Sequence, residues 1–269
     1  MKKRRMIPVL LLRNGWIVQS REFSEYQNIG SAISSIRRLS EWASDELILL
    51  DITQEGRYDT GRDDQEYSNH SDFLEILDEV ARVTFMPLVV GGRIRSLSDI
   101  DQRLSRGADK VAINTAAITS PRLIQDAARM YGSQCVTVSI DVMGTDRGYS
   151  VVYAGRRNVT SMSPIEWAKQ VEELGAGEVL LNVVDRDGVG LGYDIDLIGS
   201  VADELNIPLI ALGGVGEWAH MVDALTSTTV DAVAASNIFH HVDQSVYVAK
   251  RYLHAAGMNV RKPDLLAIG

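Results

Sequence analysis

Eight short apolar runs recur along the chain, at 7–12, 47–52, 87–90, 110–113, 135–140, 178–184, 207–212 and 231–235. They read as apolar throughout rather than alternating, which suits parallel strands buried on both faces. Between them lie amphipathic stretches such as Ser71–Val83, Leu97–Arg106, Pro121–Tyr131, Pro164–Leu174, Asp194–Leu205 and Glu217–Leu225. Ser163-Pro164 opens one helix with a cap followed by proline at the first helical position, and Ser98 and Asp99 precede another. Strand alternating with helix means βα units, and eight of them close a barrel.

The pattern also repeats. Pro87-Leu88-Val89-Val90-Gly91-Gly92-Arg93 returns as Pro208-Leu209-Ile210-Ala211-Leu212-Gly213-Gly214, and Ala108–Asn114 returns as Val230–Ser236. Asp45-Glu46-Leu47-Ile48-Leu49-Leu50-Asp51 answers to Gly177-Glu178-Val179-Leu180-Leu181-Asn182-Val183. The repeat is far longer than that of a solenoid, and close to half of the ~250 residues of a (β/α)8 barrel. The expected fold is a single α/β domain, a TIM barrel of two pseudo-symmetric half-barrels at about 1–120 and 121–250 with a tail at 251–269.

Composition changes this little. At 269 residues with 45% hydrophobic content, the chain can bury a large core. A net charge of −9 argues against a nucleic-acid partner, though not against a local cluster that grips phosphate. The lone Cys135 reads as lying inside a strand; with no disulfide framework, a reducing cytoplasm is expected. The basic start Met1–Arg5 precedes only seven apolar residues, Met6–Leu12, so it reads as the lead into strand one rather than a signal peptide, and no membrane partner is expected.

Candidate chemistry falls at both ends of the strands. Asp141 follows the fifth run, at the strand end where a barrel enzyme keeps an acid or base, but the matching place in the first strand is Leu11. The Gly-Gly pairs after the third and seventh runs can bind anions through backbone N–H groups; tight turning of loops is the bland alternative. His240-His241 is an adjacent pair whose side chains diverge, and His70, His220 and His254 have no Cys or carboxylate partners at ligand spacing, so no metal or other cofactor is expected. Gly56–Ser71, with Asp63-Asp64, reads as a polar loop that can cap the face after strand two.

Asp51-Ile52-Thr53, Val90-Gly91-Gly92, the run Gly107–Ala117, Gly175-Ala176-Gly177-Glu178 and Asp185-Arg186-Asp187-Gly188 together resemble a known family. It is the cyclase subunit of imidazole glycerol phosphate synthase, HisF, and the resemblance runs from about Arg5 to Arg261. It implies a (β/α)8 barrel partnered by a glutaminase subunit of the HisH type. Ammonia would enter through a charged ring at the bottom and travel up the interior. At the top, two aspartates act as acid and base on a ribulose phosphate. The ring positions carry Arg5, Glu46, Lys110 and Glu178 here, and Asp109 matches a position that helps dock the glutaminase. A salt-bridged layer that only closes the barrel remains the alternative reading of the ring. The phosphate positions are Gly91, Gly92, Asn114 and Thr115 in one half, with Arg93 adding a charge, and Asp187, Gly188, Gly213, Gly214, Ser236 and Asn237 in the other.

The departures from that family all concern the chemical face. Leu11 replaces one catalytic aspartate, Gln19 a lysine, Arg93 a glycine and Leu212 a serine, which leaves Asp141 as a remnant. Loss of an acid or base costs roughly 10²–10⁴ in rate, so turnover of the cyclase substrate is not expected. The run Met6–Gly15 is similar to HisF-like paralogues of bacterial surface-polysaccharide synthesis. In those, ammonia is passed to a separate sugar amidotransferase that turns an N-acetyl group into an acetamidino group. Two other readings stay open: an authentic cyclase, a lyase of histidine biosynthesis, and a catalytically silent scaffold of the glutaminase.

Overall fold

In a computed structural model, residues 3–42, 44–54, 58, 70, 72–146, 148–241 and 244–262 are described. The polar stretch read at Gly56–Ser71 lies outside them apart from Tyr58 and His70, as do Asp63, Asp64 and tail residues 263–269. Eight strands run in one closed sheet: β1 (Arg5–Arg13), β2 (Leu47–Asp51), β3 (Leu88–Gly91), β4 (Lys110–Ile113), β5 (Val136–Thr145), β6 (Glu178–Val183), β7 (Leu209–Leu212) and β8 (Ala232–Ala235). Each pairs in parallel with the next, and β8 returns to β1 through Arg5↔Ala232 and Ile7↔Ala234. This is the expected TIM barrel.

Strand alternation builds two cores. Met6, Leu10 and Leu12 of β1 face the helices, and Ile7, Val9 and Leu11 belong to an inner cluster with Ile48, Val89, Ala112, Leu180, Ile210, Leu212, Ala232 and Ala234. An unbroken apolar run is therefore two half-patterns laid together. β5 departs from the expectation, because Val136-Thr137-Val138-Ser139-Ile140-Asp141 alternates strictly. Val136, Val138 and Ile140 pack outward, which sends Thr137, Ser139 and Asp141 inward.

Outside the barrel lie α1 (Ala32–Glu41), α2 (Phe73–Val83), α3 (Leu97–Leu104), α4 (Arg122–Tyr131), α5 (Pro164–Glu173), α6 (Ile195–Ala202), α7 (Trp218–Ser227) and α8 (Ser245–Ala255). The middle six coincide with the expected stretches. In α1 and α8 the inward faces are impure: Ser35 and Ser40 are buried in one, and a fully buried Lys250 sits beside Val246, Ala249 and Leu253 in the other. Lys250 donates to Asp45 at 2.6 Å, and Asp45 also accepts from the Met6 N–H, so this buried pair ties α8 to β1. Ser163 caps α5 as read, in a capping box with Glu166. For α3 the reading shifts: Ser96 is the cap, accepting from the Asp99 N–H, and Ser98 and Asp99 lie within the helix. Cys135 is corrected as well; it ends a 3-10 turn, Ser133–Cys135, ahead of β5 and is half-buried.

Beyond the eight βα units, each half extends its first strand into a hairpin over the C-terminal mouth. Trp16–Arg21 folds back on β1 and pairs with Glu25–Ser31; Gly148–Tyr153 folds back on β5 and pairs with Asn158–Val159.

Candidate functional sites at the two ends of the barrel

At the N-terminal end the four ring residues meet. Arg5 donates to Glu46 at 2.5 Å and to Glu178, and Lys110 donates to Glu46 at 2.7 Å and to Glu178 at 3.0 Å. Each carboxylate accepts from both cations, so charge alternates around a closed four-membered ring. The glutamates are buried, and the Arg5 and Lys110 side chains keep about a quarter of their surface in contact with solvent. Burial alone would lower the pKa of both cations, but Glu178 and Glu46 outweigh it and the net direction is up. Both cations thus keep their charge at neutral pH, and they are reachable from the outer face.

Asp109 lies beside the ring and is exposed, yet its carboxylate accepts from the Leu88 N–H at 2.8 Å. Its repeat mate Asp231 accepts from the Leu209 N–H at 3.2 Å. With Asp45 on Met6, these aspartates each take an N–H at the start of a barrel strand, that of the first residue in β3 and β7 and of the second in β1.

At the C-terminal mouth, Asp141 is buried between two amides. Asn114 Nδ2 donates to one carboxylate oxygen at 3.0 Å and Asn182 Nδ2 to the other at 3.2 Å. Burial pushes its carboxyl up to about 6, against the two amide hydrogen bonds and with a further push from Asp187. Asp187, in the turn after β6, is likewise pushed up to about 6 by burial, opposed by the Ser20 hydroxyl and the Phe23 N–H. The mouth therefore holds two buried carboxyls pushed well above the usual carboxylate range, and the charge of Asp187 bears on Asp141.

Leu11 sits in an apolar surrounding of its own. It pairs in register with Leu50 and with Val18, and shares the inner cluster with Val18 and Leu212. Two of the departures, Leu11 and Leu212, thus fall in one apolar patch, and a carboxylate at position 11 would have to ionise within it.

The glycines have a packing role on both sides of the pseudo-symmetry. Gly92 (φ +99°) and Gly213 (φ +102°) bring their Cα against the preceding strand, and a Cβ would stand 2.1 Å from the Asp51 carbonyl oxygen and 2.7 Å from that of Val183. Asp51 and Val183 are themselves repeat mates. Gly91 faces Leu50 and Ala112, and Gly214 faces Gly192. Asn114 and Thr115 open one short helix, Thr115–Thr119, and Ser236 and Asn237 precede its counterpart, Ile238–His241. Arg93 turns its guanidinium onto the Gln54 carbonyl at 2.6 Å, with its Nε 3.8 Å from Asp51.

The first hairpin covers the second half's anion positions. Ser20 donates to Asp187 at 2.7 Å, Asn237 donates to the Ser20 carbonyl at 2.7 Å, and Gly188 packs against that carbonyl. Beside this seal lies a cleft of about 550 Å³ lined by Gln19, Tyr26, Gln27, Gly188, Gly216 and Asn237. Gln19 donates to Gln27 at 2.6 Å across the hairpin.

Sequence reasoning passed over Ser20, Asp51, Tyr58, Thr137 and Asn182. Asp51 accepts from the Thr53 N–H at 3.0 Å and the Tyr58 hydroxyl at 3.1 Å; burial raises its pKa, against those bonds and Arg93. Asn182 was findable as the one polar residue after Glu178 in the sixth run. Among the described residues, no three His, Cys, Asp or Glu side chains gather in metal-binding fashion, and no helix is long and apolar enough to cross a membrane.

Residues 5–244 match the profile of a family described as "Histidine biosynthesis protein". The match spans both half-barrels, the ring and the mouth, and the chain belongs to the histidine biosynthesis protein family.

Proposed function

We propose that this protein is an ammonia-handling barrel. It docks a glutaminase of the HisH type on its N-terminal face, admits ammonia through the ring and delivers it at the mouth to a partner enzyme rather than to a cyclase reaction. The observation that carries this reading is the contrast between the two ends. The Arg5–Glu46–Lys110–Glu178 ring is closed and complete, whereas Leu11 and Leu212 make one side of the mouth apolar. Resemblance of Met6–Gly15 to polysaccharide-associated paralogues points to a sugar amidotransferase as the consumer, with an N-acetyl group amidinated to an acetamidino group in a cytoplasmic step. The anionic group of such a substrate would lie near Arg93, Asn114 and Thr115, or near the cleft at Gly188 and Asn237.

Two assays test this. The cognate glutaminase should co-purify with the barrel, and its glutamine hydrolysis should rise on binding. Given ammonia and the family's ribulose-phosphate substrate, the barrel alone should fall short of an ordinary cyclase by at least the roughly 10²-fold that a missing acid or base costs. A barrel that leaves the glutaminase unbound and inactive would remove the proposal's main support.

One observation favours a second reading, a true cyclase. Burial pushes Asp141 and Asp187 both up to about 6, and the Asp187 charge adds to the push on Asp141, a range suited to general acid or base work near neutral pH. Cyclase turnover with a bell-shaped pH profile, abolished by Asp187→Asn, would establish it.

A further inference from the structure

Thr137 is fully buried, and its hydroxyl has no hydrogen-bond partner among the described residues. Its neighbours in register are Ala112 on β4 and Glu178 of the ring on β6. Strand alternation places it on the inward face with Ser139 and Asp141, one above another along β5. Among the described residues no other barrel strand turns three successive polar side chains inward. β1, β2, β7 and β8 turn Ile7, Val9, Leu11, Ile48, Leu50, Ile210, Leu212, Ala232 and Ala234 inward, an aliphatic wall. At the upper end of β5, Asn182 keeps a buried amide oxygen that also lacks a partner among the described residues.

A buried hydroxyl with no partner is costly, and valine, its isostere, would fill the same space without that cost. Unpartnered polar atoms buried at the two ends of one stripe, Thr137 on β5 and Asn182 beside Asp141 on β6, are what a built-in path for a small hydrogen-bonding guest requires, since such atoms are ordinarily satisfied by bound solvent. The span fits the purpose. The β5 stripe begins beside Glu178 of the ring and ends at Asp141, where two amides hold the carboxylate.

We propose that the β5 wall, Thr137–Ser139–Asp141 with Asn182, is a polar file that carries a small neutral hydrogen-bonding molecule, water or ammonia, from the ring to the mouth, with Thr137 as the first interior contact. It rests on the ammonia-handling reading for its passenger, while the existence of the file is independent of it. The aliphatic wall opposite offers no competing partner, so the guest is held on one side of the barrel. Ammonia both donates and accepts a hydrogen bond, so it can replace water at each hydroxyl. The ammonium ion would meet Arg5 and Lys110 at the entrance, where Glu46 and Glu178 are already paired with them, and no further carboxylate along β5 before Asp141.

The test is Thr137→Val, with Thr137→Ser as the conservative control. In the free protein, a high-resolution crystal structure should show an ordered solvent molecule within hydrogen-bond reach of Thr137 Oγ1, lost in Thr137→Val. Removing that bound molecule should leave the melting temperature unchanged or lower it. If the hydroxyl is simply unsatisfied, valine should instead raise it by about 2–4 °C for each kcal/mol relieved, which would overturn the file. In the complex with the co-purified glutaminase, ammonia reaching the acceptor per glutamine hydrolysed should fall by about 2–10-fold in Thr137→Val, the equivalent of one lost hydrogen bond. It should recover in Thr137→Ser. Ordered solvent with unchanged coupling would sink the transport role and leave the ammonia-handling reading standing. If wild type shows no coupling although its file is hydrated, that reading fails while the file survives as a solvent path.

Discussion

Replacing Asp141 with asparagine should stabilise the protein at neutral pH, and the size of the gain follows from the site. The carboxyl is buried and pushed from 3.8 to about 6, chiefly by burial. The folded state therefore binds a proton more tightly than the unfolded chain, and stability falls as pH rises from about 4 through 6. Two units of pKa amount to about 3 kcal/mol, all of it lost above the folded pKa. Asparagine removes the charge and keeps most of the hydrogen bonding. Its oxygen can accept from Asn114, and once the Asn182 amide flips, its NH2 can donate to the Asn182 oxygen, which now has no partner among the described residues. Allowing about 1 kcal/mol for imperfect geometry, Asp141→Asn should gain about 1–2 kcal/mol at pH 7.5 and close to nothing at pH 4.5. Urea unfolding of both proteins at the two pH values reads this directly. A loss of stability at pH 7.5, or a gain equal at both pH values, would refute the argument that Asp141 is held ionised against its surroundings.

Further expectations test other parts of the account. Lys110→Met leaves Glu46 and Glu178 with Arg5 alone; thermal unfolding should show a loss of about 1–3 kcal/mol, below the usual figure for a broken buried pair because Lys110 is partly exposed and Arg5 remains. Leu11→Asp places a carboxylate among Leu50, Val18 and Leu212; it should cost about 2–4 kcal/mol in chemical denaturation and leave cyclase turnover absent in a direct assay. Gly92→Ala drives a Cβ against the Asp51 carbonyl at a positive φ; it should cost at least about 3 kcal/mol and be seen as a collapse in soluble yield.

The barrel itself was legible because its determinants are periodic. Eight buried strands, six helices and the half-barrel repeat all follow from apolar spacing, and the ring residues fall where the repeat and the family resemblance put them. Legibility failed where polar groups face inward. The Ser35 and Ser40 face of α1 and the buried Lys250 of α8 disguise two helices as polar segments, since a buried lysine looks like a solvated one until Asp45 is brought to it from 205 positions away. The alternation in β5 was present in the letters Val-Thr-Val-Ser-Ile-Asp, but Thr and Ser sit comfortably in an apolar strand and the inward direction is fixed only by closure of the sheet. The glycine pairs kept two readings in sequence. The close approach of Gly92 to Asp51 and of Gly213 to Val183 gives both a packing reason. The hairpins over the mouth escaped notice because neither carries the apolar spacing of a barrel strand.

The central claim is that ammonia passes through the barrel without equilibrating with solvent. It can be tested with amide-¹⁵N glutamine in a mixture of the barrel, its glutaminase and the amidating enzyme, run in a large excess of unlabelled ammonium. Channelled ammonia should carry ¹⁵N into most of the amidated product whatever the bulk concentration, and Lys110→Met should drop that share toward the bulk ratio while glutamine hydrolysis continues. Product labelled only at the bulk ratio in wild type would mean that ammonia is released to solvent, and that the Arg5–Glu46–Lys110–Glu178 ring closes the barrel and nothing more.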